Sequence, residues 1–522
     1  MTDAQSPAQT IASGYAFTGP ALEVGAVSVD GTVDPSARVR IPLSMMNRHG
    51  LVAGATGTGK TKTLQLIAEQ LSSNGVPVVM ADIKGDLSGL SNPGTGNDKI
   101  TARATQTGDD WQPAAHPVEF VSLGADGIGV PIRATITSFG PILLSKVLGL
   151  NDTQESVLGL IFHWADQKGL PLLDLKDLRS VIAYLTSDEG KPELKAIGGV
   201  STQTAGVILR ALTNLEADGG DTFFGEPEIE PADLLRTTPD GQGIITLFEL
   251  GAQAARPALF STFLMWILAD LFEFLPEVGD LDKPKLVFIF DESHLLFADA
   301  SKAFKEQVVQ TVKLIRSKGV GVFFCSQLPT DIPSEVLSQL GARIQHALRA
   351  FTPDDQKALA KTVKTYPVSE VYKLDQVLTS LGTGEAVVTV LSEKGAPTPV
   401  AWTVVRAPRS SMEAVGADGI TAAAKASPLY AKYGQAIDRE SAYEKLAAKT
   451  LAPGESPDAP APAPVPTPAP APVPAPKPQP EEPGMLTEVL TSKPMQSFLR
   501  SAASAAGREF SRAIFGTGRR RR

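Results

Sequence analysis

The chain is poor in three things, and each gap excludes a class of protein. It holds one cysteine, Cys325, in 522 residues, so no disulfide can form within it, and a reducing cytoplasm is the setting it fits. It lacks an excess of basic charge. The formal net charge of −9 excludes a protein coated in cationic surface but leaves room for a local basic channel. It also lacks a long hydrophobic run. The most apolar stretch, Leu259 to Leu275, is short for a membrane span and carries Asp270 and Glu273, so a buried core helix is expected and no stable membrane insertion. Met1 to Gly14 is polar, with neither a charged start nor an apolar stretch, so no signal peptide is expected. Against these gaps, 43% apolar residues support a substantial core, and the length suits about three domains or one large core with insertions and tails.

The most informative stretch is Gly54-Ala55-Thr56-Gly57-Thr58-Gly59-Lys60-Thr61, a complete phosphate-binding loop. His49 to Ala53 before it reads as a short buried strand. Lys62 to Leu71 after it has apolar residues at Leu64, Ile67, Ala68 and Leu71, which is helical spacing. Glycine tolerates the backbone angles that turn several N–H groups inward, and those groups with the helix N-terminus suit phosphate oxygens. Residues 54 to 62 are therefore the expected nucleotide site. Lys60 is placed to reach the β- and γ-phosphates, and Thr61 to hold Mg²⁺ through its hydroxyl.

A second stretch complements it. Leu286 to Phe290 is a continuous apolar run, as in a parallel strand covered on both faces, and it ends in Asp291-Glu292. Asp291 is the expected Mg²⁺ carboxylate, and Glu292 the acceptor of a proton from an attacking water. Gln327, after the apolar strand Val320 to Cys325, is a candidate for contact with the γ-phosphate through its amide. Another buried strand, Val76 to Asp82, ends in an acidic residue and leads into Ile83-Lys84-Gly85-Asp86, at the carboxyl edge where open α/β sheets bind ligands. Two readings stay open there: Asp82 and Lys84 position metal, water or a neighbouring subunit, or Asp86 simply caps the turn. His49 and His294 flank the two motifs and are expected to be packed or hydrogen-bonded rather than catalytic.

Further strands are expected at residues 118–122, 243–248, 342–348, 385–391 and 400–405. Strands alternating with helices give an α/β fold with a doubly wound, mainly parallel sheet. The expected layout is a disordered start (1–14), a small β segment (15–48), a nucleotide-binding domain (49–410) with a helical insertion at about 133–240, and a helical extension (411–451). A linker (452–484) and a basic C-terminal helix and tail (485–522) complete it. Ala452 to Pro483 holds 14 prolines in 32 residues, so no core can form there and an extended, semi-rigid tether is expected. Residues 485–522 carry a net charge of +6, against −15 for the rest of the chain. That arginine-rich end suits DNA, anionic lipid or an acidic protein surface, or is a solvated helix with no ligand.

The combination of residues 49–61, Ala81-Asp82-Ile83-Lys84-Gly85-Asp86-Leu87, Phe290-Asp291-Glu292-Ser293-His294 and Ser326-Gln327 resembles the HerA–FtsK branch of ring-forming P-loop ATPases, specifically bacterial HerA-like proteins. The pattern extends over roughly residues 15 to 405. The resemblance implies a RecA-like P-loop fold, ATP and Mg²⁺ as cofactors, a homo-hexamer, and ATP-driven translocation on, or unwinding of, double-stranded DNA. It also implies an arginine from the adjacent subunit, for which Arg343 and Arg349, and less so Arg316, are the candidates. Archaeal-type members carry a full β-barrel before the ATPase domain. Only roughly 45 residues precede the P-loop strand here, so a nuclease partner of that kind is not expected. The rival readings are a nucleotide-switched scaffold, or a secretion-type ATPase whose basic tail recruits a partner.

Overall fold

The computed structural model describes residues 6–450 except 197, 252–255, 280 and 299. The expected proline-rich linker and basic terminal helix lie outside the described residues. Twelve strands form one sheet: β1 (Ala21–Val29), β2 (Thr32–Pro42), β3 (Gly50–Ala53), β4 (Val78–Asp82), β5 (Val118–Leu123), β6 (Val130–Ile132), β7 (Ile245–Glu249), β8 (Leu286–Phe290), β9 (Val320–Ser326), β10 (Ala342–Gln345), β11 (Glu385–Thr389) and β12 (Ala401–Val405). Their order across the sheet is β2-β1-β12-β11-β10-β3-β9-β8-β4-β7-β5-β6. From β10 to β6 every neighbouring pair is parallel, and from β2 to β10 every pair is antiparallel.

The parallel strands are buried on both faces, and side chains alternate between two cores. Leu51, Val79, Phe288, Phe290 and Phe324 face one; Val52, Val78, Met80, Ile289 and Phe323 face the other. This period-two alternation of uniformly apolar residues is what a sheet between two helical layers requires. On the first face lie the helices Ile136–Leu148, Asp152–Gln167, Leu175–Thr186 and Thr202–Ala217, together with Pro257–Phe274 and Lys302–Ile315. The helix Pro257–Phe274 is the one described helix long and apolar enough to cross a membrane, but 67% of that stretch is buried inside the protein. On the second face lies the helix Lys60–Ser73.

Two boundaries differ from the sequence reading. The start is not disordered throughout: Pro7–Ser13 is a helix, capped by the Ser6 hydroxyl accepting from the Gln9 amide, with Ala8 and Ile11 buried. Proline in its first turn removes an N–H that would have no helical partner, which favours a start at that point. The β segment at 15–48 is not a separate unit either. β1 hydrogen-bonds to β12 with Gly25 opposite Val405, so the hairpin extends the main sheet and shields an edge that would otherwise expose unpaired backbone groups.

A candidate nucleotide-hydrolysis site

The sheet order decides which strand ends meet. β9 separates β3, which leads into the phosphate-binding loop, from β8, which leads into Asp291-Glu292. All three are parallel, so their carboxyl ends emerge at one edge. Cys325, near the end of β9, feels both sides: its thiol hydrogen-bonds to Asp291 and is close enough to Lys60 for a direct charge interaction. The lysine and the acid therefore lie on either side of one strand end.

The loop has the backbone the motif requires. Gly54, Gly57 and Gly59 have φ of 152°, 80° and 113°, a region that disfavours any Cβ. At Gly54 a methyl group would stand 2.5 Å from Cβ of His346 and 3.0 Å from the Thr58 hydroxyl oxygen. The amide of Gly54 donates to Ser326 O (3.2 Å) and that of Ala55 to Ala347 O (2.8 Å), tying the loop to the ends of the neighbouring strands. The helix begins at Lys60 with no side-chain cap. Thr63 is its first intrahelical donor, to Gly59 O at 3.0 Å, which leaves the amides of Lys60, Thr61 and Lys62 outside the helical ladder. The ammonium of Lys60 lies across the loop, donating to Gly54 O (2.6 Å) and Ala55 O (3.3 Å).

His346 holds the loop from below. Its Nδ1 sits 2.8 Å from Glu385 O, a pure acceptor, so Nδ1 carries the proton and Nε2 accepts from the Thr63 hydroxyl at 2.9 Å. Burial pushes its pKa down to about 4, so the ring is neutral near pH 7. No motif marks this residue in the sequence. His49 is likewise buried, accepts the Val322 amide at Nδ1 (3.0 Å) and has its pKa lowered by burial to about 4.

Asp291 has its carboxyl raised above the ordinary range by burial and by Glu292 beside it, with the Cys325 thiol pulling the other way. Glu292 sits at φ 45°, left-handed for a residue with a side chain. One carboxylate oxygen is 3.2 Å from Lys84 Nζ. The other is 3.4 Å from His294 Nδ1, without hydrogen-bond geometry. Gln327 is exposed at the end of β9, directly after the Ser326 carbonyl that anchors Gly54.

Several side chains are placed otherwise than the sequence suggested. Asp82, not Asp86, caps the turn. Its Oδ1 accepts from the amides of Lys84 (3.2 Å), Gly85 (2.7 Å) and Asp86 (3.2 Å), and its Oδ2 from Leu87 (2.8 Å). A carboxylate so engaged has little left for a metal. The ammonium of Lys62 turns away from the loop, to Asp86 O (3.3 Å) and Met412 O (3.0 Å), so only its backbone amide remains for a phosphate. Arg343 is not at the strand end. It pairs in register with Leu51, donates to Thr365 O (2.7 Å) and Leu337 O (3.3 Å), and lies over the Tyr366 ring. Arg349 is exposed, and its guanidinium donates to Thr56 O of its own loop at 3.3 Å. Arg316 is at the opposite edge of the sheet, after the helix Lys302–Ile315 and before β9.

One acid was missed. Glu249 ends β7 in register with Asp82; it is 6% exposed, with one oxygen lacking any hydrogen-bond partner among the described residues. Burial, then the nearby Asp82, pushes its pKa up to about 8. It shares the signature that drew attention to Asp82 and Asp291, an acid closing an apolar strand.

Residues 29–522 match the model of the family described as "Helicase HerA-like C-terminal". The DNA double-strand break repair helicases HerA of Sulfolobus acidocaldarius and Sulfurisphaera tokodaii are 21% and 24% identical to it over 376 and 371 residues. Each match covers 70% of this chain, and 67% and 66% of the respective relatives. A probable helicase of Methanocaldococcus jannaschii is 37% identical over 116 residues, 22% of this chain and 20% of the relative. The chain thus spans only part of these relatives' length. Among solved structures, the bacterial conjugative coupling protein TrwB superposes with a TM-score of 0.50 at 14% identity, over 79% of this chain and 94% of that one, which speaks for the fold alone. The fold is α/β of the RecA-like P-loop type, and the chain belongs to the HerA-like C-terminal helicase family.

Proposed function

We propose that the chain is a Mg²⁺-dependent ATPase whose hydrolysis drives a ring, a homo-hexamer by family likeness, along double-stranded DNA in the cytoplasm. The observation that carries the chemistry is the convergence of Lys60 and Asp291 on the end of β9, beside an uncapped helix N-terminus. The residues suit the ligand. Three glycines make a cradle that a Cβ would fill, and the amides of Lys60 to Lys62 lie outside the helical ladder. Among the described residues no cluster of three or more His, Cys, Asp and Glu could hold a metal unaided. That suits Mg²⁺, which takes one or two protein ligands and completes its shell with phosphate oxygens and water.

In this reading Lys60 gives up its bonds to Gly54 O and Ala55 O to neutralise phosphate charge, and Thr61 with Asp291 holds the metal. Mg²⁺, when bound, supplies electrostatic stabilisation of the charge that develops on the transferring phosphoryl group. Glu292 takes the proton of the attacking water, and Gln327 orients that water or senses the γ-phosphate by its amide. Asp82 keeps residues 83–87 in shape. Arg349, beside Thr56, stands where it can add positive charge to the phosphates of its own subunit. The DNA assignment draws on the printed names of the HerA relatives and on the family pattern, since the chain as a whole is acidic.

The test is Glu292→Gln. Loss of a general base is expected to lower turnover by about 10²–10⁴-fold while ATP binding survives. Wild-type protein is expected to hydrolyse ATP faster with linear duplex DNA than without it. Undiminished turnover in Glu292→Gln would remove the catalytic assignment, and rates indifferent to every form of DNA would remove the DNA motor.

A further inference from the structure

The turn after β4 and the turn after β8 are joined by one ion pair, between Lys84 Nζ and Glu292 Oε1 at 3.2 Å. We infer that Lys84 is a restraint on hydrolysis: it holds the Glu292 carboxylate in a paired arrangement that must open before the glutamate can act on water. The inference rests on the proposed role of Glu292.

Three observations support it. First, the anchor is rigid. Asp82 takes four successive amides of residues 84–87, which fixes the Lys84 backbone while leaving its four-carbon stem free to swing. Second, the pairing is asymmetric. The Glu292 side chain is 18% exposed and the Lys84 side chain 53%, so the lysine can leave to solvent and the glutamate cannot. Third, Glu292 has no competing partner of comparable strength. Its other oxygen is buried and without a hydrogen bond among the described residues, with His294 Nδ1 3.4 Å away. In the closed pair Oε1 accepts from the ammonium and the other oxygen is buried, so the pair must open to present an oxygen to water. The left-handed φ of 45° at Glu292 adds to the picture: the backbone conformation is uncommon and is held here with the side chain turned to Lys84.

A partly exposed pair of this kind is weak, so the restraint is modest, on the order of a 2- to 5-fold change in the population of free glutamate. The experiment measures steady-state ATP turnover of the full chain without nucleic acid, with kcat and KM resolved separately. Lys84→Met and Lys84→Gln are both expected to raise kcat by about 2- to 5-fold with KM little changed. Lys84→Arg keeps the charge and is expected to stay close to wild type. A merely structural lysine gives the opposite sign, since loosening the turn lowers turnover. Equal or reduced kcat in both neutral variants overturns the restraint, as does an Arg variant that behaves like Met. Glu292→Gln in the same series separates the two claims. If it still hydrolyses ATP, the role of Glu292 falls. If it is inactive while the Lys84 variants show no rise, the restraint alone falls.

Discussion

Gly54 and Gly57 both lie in the phosphate-binding loop at positive φ, yet alanine at the two positions should differ in effect, and the difference measures how tightly the loop is packed from below. At Gly57 a Cβ meets nothing within 4 Å, so the cost of alanine is the left-handed backbone alone, about 1–2 kcal/mol. At Gly54, where φ is 152° rather than 80°, a backbone cost of its own is joined by a contact of 2.5 Å with Cβ of His346, an atom that no rotamer change can move. Relief requires a shift of the loop or of the strand end at residue 346. Overpacking of that kind adds about 1–3 kcal/mol. His346 is itself pinned between Thr63 and Glu385 O, so the loop should be what yields. A displaced loop separates its amides from the phosphates they would meet. Titration with a fluorescent ATP analogue should therefore show Gly54→Ala weaker than Gly57→Ala by roughly 5- to 150-fold, the factor that 1–3 kcal/mol represents. Thermal unfolding should follow the same order. Equal affinity in the two variants, or a weaker Gly57→Ala, would refute the claim that His346 packs the loop into shape.

Other predictions concern buried titrating groups. Glu249→Gln keeps the shape of a carboxyl that burial has pushed up to about 8. The folded form favours the protonated state, so this site's contribution is fully present below pH 4.5 and is lost as pH rises toward 8. The substitution should raise the unfolding free energy more at pH 8, with an upper bound of about 4 kcal/mol, than at pH 6, about 2 kcal/mol, as read by denaturant titration; a pH-independent effect would contradict the burial argument. His49, His116 and His346 all have their pKa lowered by burial to about 4. Below about 6.5 the unfolded chain takes up protons that the folded chain refuses, so stability should fall between pH 6.5 and 4, by at most about 2 kcal/mol per histidine at pH 5. Neither ring nitrogen of His116 has a hydrogen-bond partner among the described residues, so His116→Phe should flatten the decline in thermal midpoint from pH 7 to pH 5, and an unchanged slope would count against it.

The sequence disclosed the sheet wherever strands are long and apolar. Leu286–Phe290 and Val320–Ser326 are visible as such because a strand covered on both faces has no polar alternation to blur it. β6 escaped notice for the converse reason. It has three residues with Pro131 at its centre, which is tolerable only because β6 is the edge of the sheet. The pairing of β1 with β12 joins residues some 380 positions apart in the chain, and nothing local in either strand announces the other.

The candidate site divides along the same line. Its backbone was legible, because a glycine-rich turn between a strand and a helix constrains dihedral angles that only certain residues adopt. What sets its strand-ending acids apart was less so, because Asp82, Glu249 and Asp291 look alike in sequence, each an acid closing an apolar strand. What separates them is the neighbouring strand. Asp82 is followed by a turn whose amides curl back onto its carboxylate, and that consumes it. Glu249 lies beside Asp82, and burial with a like charge nearby favours its neutral form. Asp291 alone lies next to β9, and across β9 is the loop that carries Lys60. The role of each acid follows from its place in the strand order, a long-range property, and the carboxylate best placed for a metal is the one a single strand away from the phosphate-binding loop.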